Sequence, residues 1–206
     1  MRLFLLGDSI LDNAAYVGPG GKAVIDHCRA RFDGRGIALH LYALDGAAAD
    51  DVPDQVRAAA PGTGDLVVLS AGGNDALGHQ HLLDDAPRRT SFGALLTRLG
   101  EYREAFRTAY AGALDSVSAT GADAIACSIY NGAFPEPEMA ARAAAGVALF
   151  NDVIFQEADR RGLATIDLRN VCTEAAHYAN TIEPGDAGGA RIAEAIDLAV
   201  ARRSVA

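Results

Sequence analysis

Ser9 is the residue whose setting most directly suggests chemistry. It follows an apolar run, Leu3 to Leu6, that is too short for a core helix and ends abruptly in Gly7-Asp8-Ser9. That pattern predicts a buried first strand with the serine at its carboxyl end. In an open parallel sheet ligands gather just beyond that edge, so a nucleophile-capable hydroxyl placed there stands where a substrate arrives. A serine that merely caps the next segment fits the local sequence equally well. Two further apolar runs close on turn residues in the same manner: Ile37 to Leu44 on Asp45-Gly46, and Leu66 to Ser70 on Ala71-Gly72-Gly73-Asn74-Asp75. Taken alone, Asn74 reads as a turn residue, and Asp8 and Asp75 as turn stabilisers. His79, His81 and His177 fall in segments read as loops and could approach the same edge, where imidazole is the commonest catalytic base. His27 and His40 lie in a helix and a strand and read as structural.

The elements that must position these residues follow from periodicity. Besides the three strands above, Asp123 to Tyr130 and Leu163 to Leu168 read as strands. Helices are expected over Lys22 to Phe32, Ala47 to Ala60, Thr90 to Thr120, Glu138 to Arg161 and Ala187 to Arg203. The apolar and aromatic positions of the third of these, Phe92, Leu95, Leu96, Leu99, Tyr102, Phe106, Tyr110 and Leu114, are expected in the core. Such alternation of strand and helix means α/β, a five-stranded parallel sheet with helices on both faces and right-handed crossovers. The chain of 206 residues is expected to form one domain over 1–206, with a core large enough to need no disulfide or metal staple.

Composition excludes several classes. Half the residues are hydrophobic and mean hydropathy is +0.09, with no apolar run near the roughly 20 residues of a membrane span. A net charge of −9 and a pI near 4.9 disfavour nucleic acid and anionic membrane surfaces as partners. Cys28, Cys127 and Cys172 are odd in number and widely separated, which argues against a disulfide framework and a zinc site and for reduced thiols. No secretory signal is visible, so a cytoplasmic location is expected. The run Gly18 to Ala23 matches a loose GxGxxA, but about ten residues separate it from its strand, where a dinucleotide fingerprint must follow immediately. Lys22 is followed by Ala23 and the leading glycine is missing, so it is not a P-loop either.

The strand ends together resemble the SGNH (GDSL-type) hydrolases: GDSI at 7–10, a glycine after strand two at Gly46, and GGND at 72–75. The nucleophile-elbow pattern GxSxG is absent, because Leu11 stands where its last glycine would be. The resemblance spans the chain and implies a three-layer α/β/α, flavodoxin-like fold. It implies ester hydrolysis of a small-molecule substrate through an acyl-serine at Ser9, without a cofactor or metal. It also implies an oxyanion hole made of the Ser9 and Gly46 backbone N–H groups and the Asn74 side-chain amide.

The sequence departs from that family at its last motif. Where Asp-x-x-His normally precedes the final helix, this chain has Asn180-Thr181-Ile182-Glu183-Pro184. Either the site has become a catalytically inactive binding domain, or Glu183 is the base. A free glutamate, with a pKa of about 4.3 against about 6.5 for histidine, is the weaker base, but desolvation raises a carboxyl by that much or more. The paired change is coherent, since an aspartate beside Glu183 would repel it whereas Asn180 is neutral and can donate a hydrogen bond. His177, six residues before Glu183, is the alternative base. Neither a long apolar lid nor an aromatic sugar platform is visible, and short acyl chains are the default expectation.

Overall fold

The computed structural model describes residues 1–82 and 91–203. Five strands, β1 (Arg2–Gly7), β2 (Ala38–Leu41), β3 (Leu66–Ser70), β4 (Asp123–Cys127) and β5 (Ala164–Ile166), form one sheet in the order β2-β1-β3-β4-β5. Every neighbouring pair is parallel. This is the flavodoxin-like order, in which the chain reverses direction across the sheet at β1 and β3, where ligands collect. The helices are α1 (Val24–Phe32), α2 (Val52–Ala59), α3 (Gly73–Leu77), α4 (Phe92–Ser118), α5 (Pro137–Arg160) and α6 (Asp186–Arg203).

Alternation along the strands divides the interior in two. Leu3 and Leu5 of β1 pack with Val24, Cys28, Ile192 and Ile196 of α1 and α6 on one face. Phe4 and Leu6 pack with Val52, Tyr110, Leu114 and Ile154 of α2, α4 and α5 on the other. β1 and β3 are apolar on both faces because both faces are covered.

The observed elements trim the expected ones. β2 is shorter than Ile37 to Leu44, because the Tyr42 and Ala43 amides both turn to the Leu5 carbonyl and the ladder ends. The segment 47–60 opens as a 3₁₀ turn, Ala49–Asp51, before α2. α3 and a 3₁₀ turn, Gln80–Leu82, occupy what reads in sequence as irregular loop. The expected helix start at Thr90 lies outside the described residues.

One expectation about the core is corrected. Phe106, Tyr110 and Leu114 are buried, but Phe92 is 74% exposed and Leu96 51%. Leu95, Leu99 and Tyr102 are only half-buried. The reason is length. A 27-residue helix such as α4 is about 40 Å long, whereas a five-residue strand is about 17 Å. Because α4 must return to the amino edge to feed β4, its first turns overhang the carboxyl edge. α5, with 24 residues, overhangs likewise, and the two walls enclose space above the strand ends.

Candidate active site

Gly7 ends β1 with φ +118°, and a Cβ there would lie 1.6 Å from the Ser70 carbonyl oxygen, so no other residue lets β1 pass β3 this closely. Gln55 of α2, buried, clamps that glycine from both sides: it accepts from the Gly7 amide at 2.7 Å and donates to the Gly7 carbonyl at 2.9 Å. The chain then turns, with the Leu11 and Asp12 amides donating to the Asp8 carbonyl. Ser9 sits in this turn, 7% exposed.

Glu183, also 7% exposed, comes from the loop before α6 and lines the same cavity as Ser9; the serine hydroxyl lies close enough to the carboxylate to favour its charged form, without a hydrogen bond of normal geometry. The second carboxylate oxygen, Oε2, is buried without a hydrogen-bond partner. Burial raises the Glu183 pKa; the nearby Ser9 hydroxyl opposes the rise and the negative charge of Asp45 adds to it. No described arginine, lysine or histidine pairs with Glu183. Its backbone is held tightly: the Ala179 amide donates to the Glu183 carbonyl at 2.8 Å, and the Asn180 Oδ1 accepts from the Ile182 and Glu183 amides, each at 2.9 Å. The expected hydrogen bond from Asn180 to the Glu183 carboxylate is therefore corrected. Its side chain closes the turn that presents Glu183.

Gly188 lets α6 pack against this loop, since a Cβ there would be 2.1 Å from the His177 carbonyl oxygen. Asn13, fully buried, fastens the loop to the Ser9 turn, donating to the Pro184 carbonyl at 2.9 Å and accepting from the Val24 amide at 2.8 Å. Asn151 of α5 clamps the Ile129 amide and carbonyl after β4 in the same way, at 2.7 and 2.8 Å. Sequence reasoning missed Asn13, Gln55 and Asn151. For Gln55 and Asn151 a signal existed, a carboxamide at helical spacing among apolar residues.

Asn74 of α3 lines the same cavity as Ser9 and Glu183. One of its amide hydrogens goes to the Ala47 carbonyl at 2.9 Å, and the second is uncommitted. Gly46, exposed and at φ +85°, lies outside the cavity lining, in the turn after β2. That turn is tied to the Ser9 side through the Asp45 amide to Asp12 (3.1 Å) and Tyr16 to Asp45 (2.7 Å). Among the described residues, the Ser9 and Gly46 amides donate to nothing.

Asp8 is more than a turn stabiliser. It is 1% exposed, its Oδ1 accepts from the Ile10 amide and the Ser70 hydroxyl, and its Oδ2 faces Gly73 without a hydrogen bond of normal geometry. Burial pushes its pKa up to about 7. Asp75, within α3, accepts from the Ala49 amide at 3.0 Å and so ties α3 to the 3₁₀ turn before α2, a long-range contact and not the local turn stabilisation expected.

The histidines are disposed differently from one another. His177 accepts the Glu174 amide at its own Nδ1 and is not part of the cavity lining. His79 stacks on Tyr102 at 3.8 Å and lines the cavity wall, where burial lowers its pKa. His27 pairs with Asp186, and His40 stacks on Phe4. The three cysteines are buried free thiols. Among the described residues no group of three His, Cys, Asp or Glu side chains could hold a metal ion, and no helix is long and apolar enough to cross a membrane.

Residues 5–191 match the model of the GDSL-like Lipase/Acylhydrolase family. The chain belongs to that family. It is a family of carboxylic ester hydrolases, and similar solved structures share the fold at low identity. They include an extracellular lipase from Streptomyces rimosus (18% identity, TM-score 0.70, 97% of this chain and 99% of that one). Phospholipase A1 from Streptomyces albidoflavus is similar too (16%, 0.69, 96% and 97%). So is a psychrotrophic esterase from Pseudoalteromonas, in a structure inhibited by monoethylphosphonate (14%, 0.69, 100% and 99%). No curated protein matches the chain.

Proposed function

We propose that this GDSL hydrolase cleaves carboxylic esters through an acyl-serine at Ser9, with Glu183 as the general base in place of the family's histidine. The observation that carries this reading is the placement of the Ser9 hydroxyl, in the same cavity, beside a buried carboxylate that has no cationic partner among the described residues. A carboxylate paired with arginine is a poor base; one deprived of water and counter-charge is a stronger one.

In this mechanism the Ser9 oxygen attacks the acyl carbon while its proton passes to Glu183. The carbonyl oxygen becomes an oxyanion, received by the Ser9 amide and the free Asn74 N–H; one such donor is worth about 10²–10³ in rate. Collapse breaks the bond to the alcohol, which leaves with the proton from Glu183. Water then attacks the acyl-serine, giving its proton to Glu183, and the acid departs as the proton returns to Ser9. Asn180 acts as a positioning residue, fixing the turn that aims Glu183.

The test is hydrolysis of phenyl acetate and phenyl butanoate by the wild-type protein and by Ser9→Ala and Asn74→Ala. The reading expects turnover that Ser9→Ala abolishes and that Asn74→Ala lowers by about 10²-fold or more. Turnover that survives Ser9→Ala in the folded protein would overturn it.

A further inference from the structure

The cavity at Ser9 is polar at one end and largely apolar over the rest of its length. Asp8, Ser9, Asn74 and Glu183 stand at the strand ends. Beyond them the walls are the amino-terminal parts of α4 and α5. Leu95, Leu99 and Tyr102 come from one helix; Ala143, Gly146 and Phe150 come from the other. The arginines of the lining are already engaged, Arg103 by Asp152 and Arg142 by Glu138, and the His79 ring stacks on Tyr102. Such a shape matches an amphiphile with one polar end.

Gly146 is the residue that makes the room. Glycine is a poor choice in the middle of a 24-residue helix. Ala143, Gly146, Val147 and Phe150 share one face of α5 at helical spacing, all four lining the cavity. A Cβ at Gly146 would meet nothing within 4 Å, so its missing side chain is open space belonging to the cavity. The cavity holds about 370 Å³. At about 30 Å³ for a water-sized group, that is room for on the order of ten methylene-sized groups.

Resting on the reading of Ser9 as nucleophile, we propose that the cavity between α4 and α5 binds a linear aliphatic acyl chain of medium length, about eight to ten carbons, and that Gly146 sets its reach. The acyl group, rather than the alcohol, belongs there because of the order of events. The alcohol must leave and water must enter before deacylation, whereas the acyl chain stays attached to Ser9 throughout. The half-enclosed, apolar end of the site suits the group that stays. Acetyl esters leave this surface wetted, while each methylene buried there adds up to about fourfold to kcat/KM, the equivalent of about 0.8 kcal/mol.

The experiment measures kcat/KM for p-nitrophenyl esters from acetyl to decanoyl at monomeric concentrations, and for acetate esters of alcohols of increasing length. The expected profile rises at least 10²-fold from acetyl to octanoyl, with little gain along the alcohol series. Gly146→Phe, a substitution into open space on a helix, is expected to cut the octanoyl-to-acetyl ratio at least tenfold; Gly146→Leu cuts it by less. An acetyl optimum, a ratio that Gly146→Phe leaves unchanged, or a rise along the alcohol series instead overturns the inference while leaving Ser9 chemistry intact. Should no ester turn over, the Ser9 reading fails, and calorimetry with methyl octanoate against methyl acetate decides the cavity. Tighter binding of the octanoate, weakened by Gly146→Phe, upholds it, and equal binding overturns it.

Discussion

Glu157 and Glu183 are both buried glutamates, 3% and 7% exposed, on opposite sides of the difference between structure and chemistry. Glu157, on α5, accepts from Arg107 at 2.6 Å, Arg160 at 2.5 Å and Arg161 at 2.7 Å. Burial alone would raise its pKa, but the Arg161 and Arg107 hydrogen bonds and the charge of Arg160 outweigh that and hold it below the usual carboxylate range. Glu183 has the Ser9 hydroxyl nearby, no arginine and an unpartnered oxygen. Burial therefore outweighs the opposing contribution of Ser9 there and raises its pKa. Two carboxylates of one chain thus titrate in opposite directions, and what separates them is the counter-charge, since both have left the water.

The sharpest way to break this contrast is Glu183→Gln. If the orphaned carboxylate is the base, turnover of an activated ester falls by about 10²–10⁴-fold, as the loss of a general base does, while the melting temperature holds or rises. Glu157→Gln is expected to do the reverse. Activity per folded molecule stays near wild type, and the three arginines left without their acid cost about 2 kcal/mol of stability, read by urea unfolding. A Glu157 variant that lost activity while keeping its stability would erase the distinction.

pH sharpens the comparison next. Because Asp8 binds its proton more tightly in the folded chain, its pKa rising from 3.8 to about 7, the native state holds a proton the unfolded chain has released across that window. Stability therefore falls as pH rises from about 4 to about 7, and Glu183 adds to the fall in the same direction. Glu157 has the opposite sign, its contribution present above the ordinary glutamate pKa and lost as pH falls through its lowered one. Asp8→Asn, which puts an amide where Oδ2 has no partner, is expected to flatten the slope between about pH 4 and 7 and to add on the order of 2 kcal/mol at pH 8. Urea midpoints across pH measure both; an unchanged slope contradicts the assignment. The smallest effect is expected for His177→Ala, with activity unchanged and stability within about 0.5 kcal/mol, because that ring accepts a backbone amide of its own turn.

Much of this was legible in the sequence, and the reason is local. The strand ends carrying Ser9 and Asn74 are marked by short apolar runs closing on glycine and turn residues. Gly7 in particular is dictated by the approach of the Ser70 carbonyl. The departure from the family pattern at Asn180 to Glu183 is a reading of the sequence alone, from Pro184 and Gly188 standing in the register of the final motif. What could not be read depends on distance through space. Asn180 was expected to hold the carboxylate, but a side chain that caps its own turn competes for the same atoms. The exposure of Phe92 and Leu96 follows from α4 being longer than the sheet is tall, which periodicity does not report. Asn13, at position 171 residues from its partner Pro184, gives no local sign that it ties the Ser9 turn to the Glu183 loop.

The most direct measurement is the rate at which a fluorophosphonate labels the protein, followed by mass spectrometry across pH for the wild type and Glu183→Gln. The account predicts a single adduct on Ser9, forming faster as pH rises through the raised Glu183 pKa, and slowed by at least 10²-fold in Glu183→Gln. A folded protein that forms no adduct, or an adduct rate indifferent to Glu183→Gln, would contradict it.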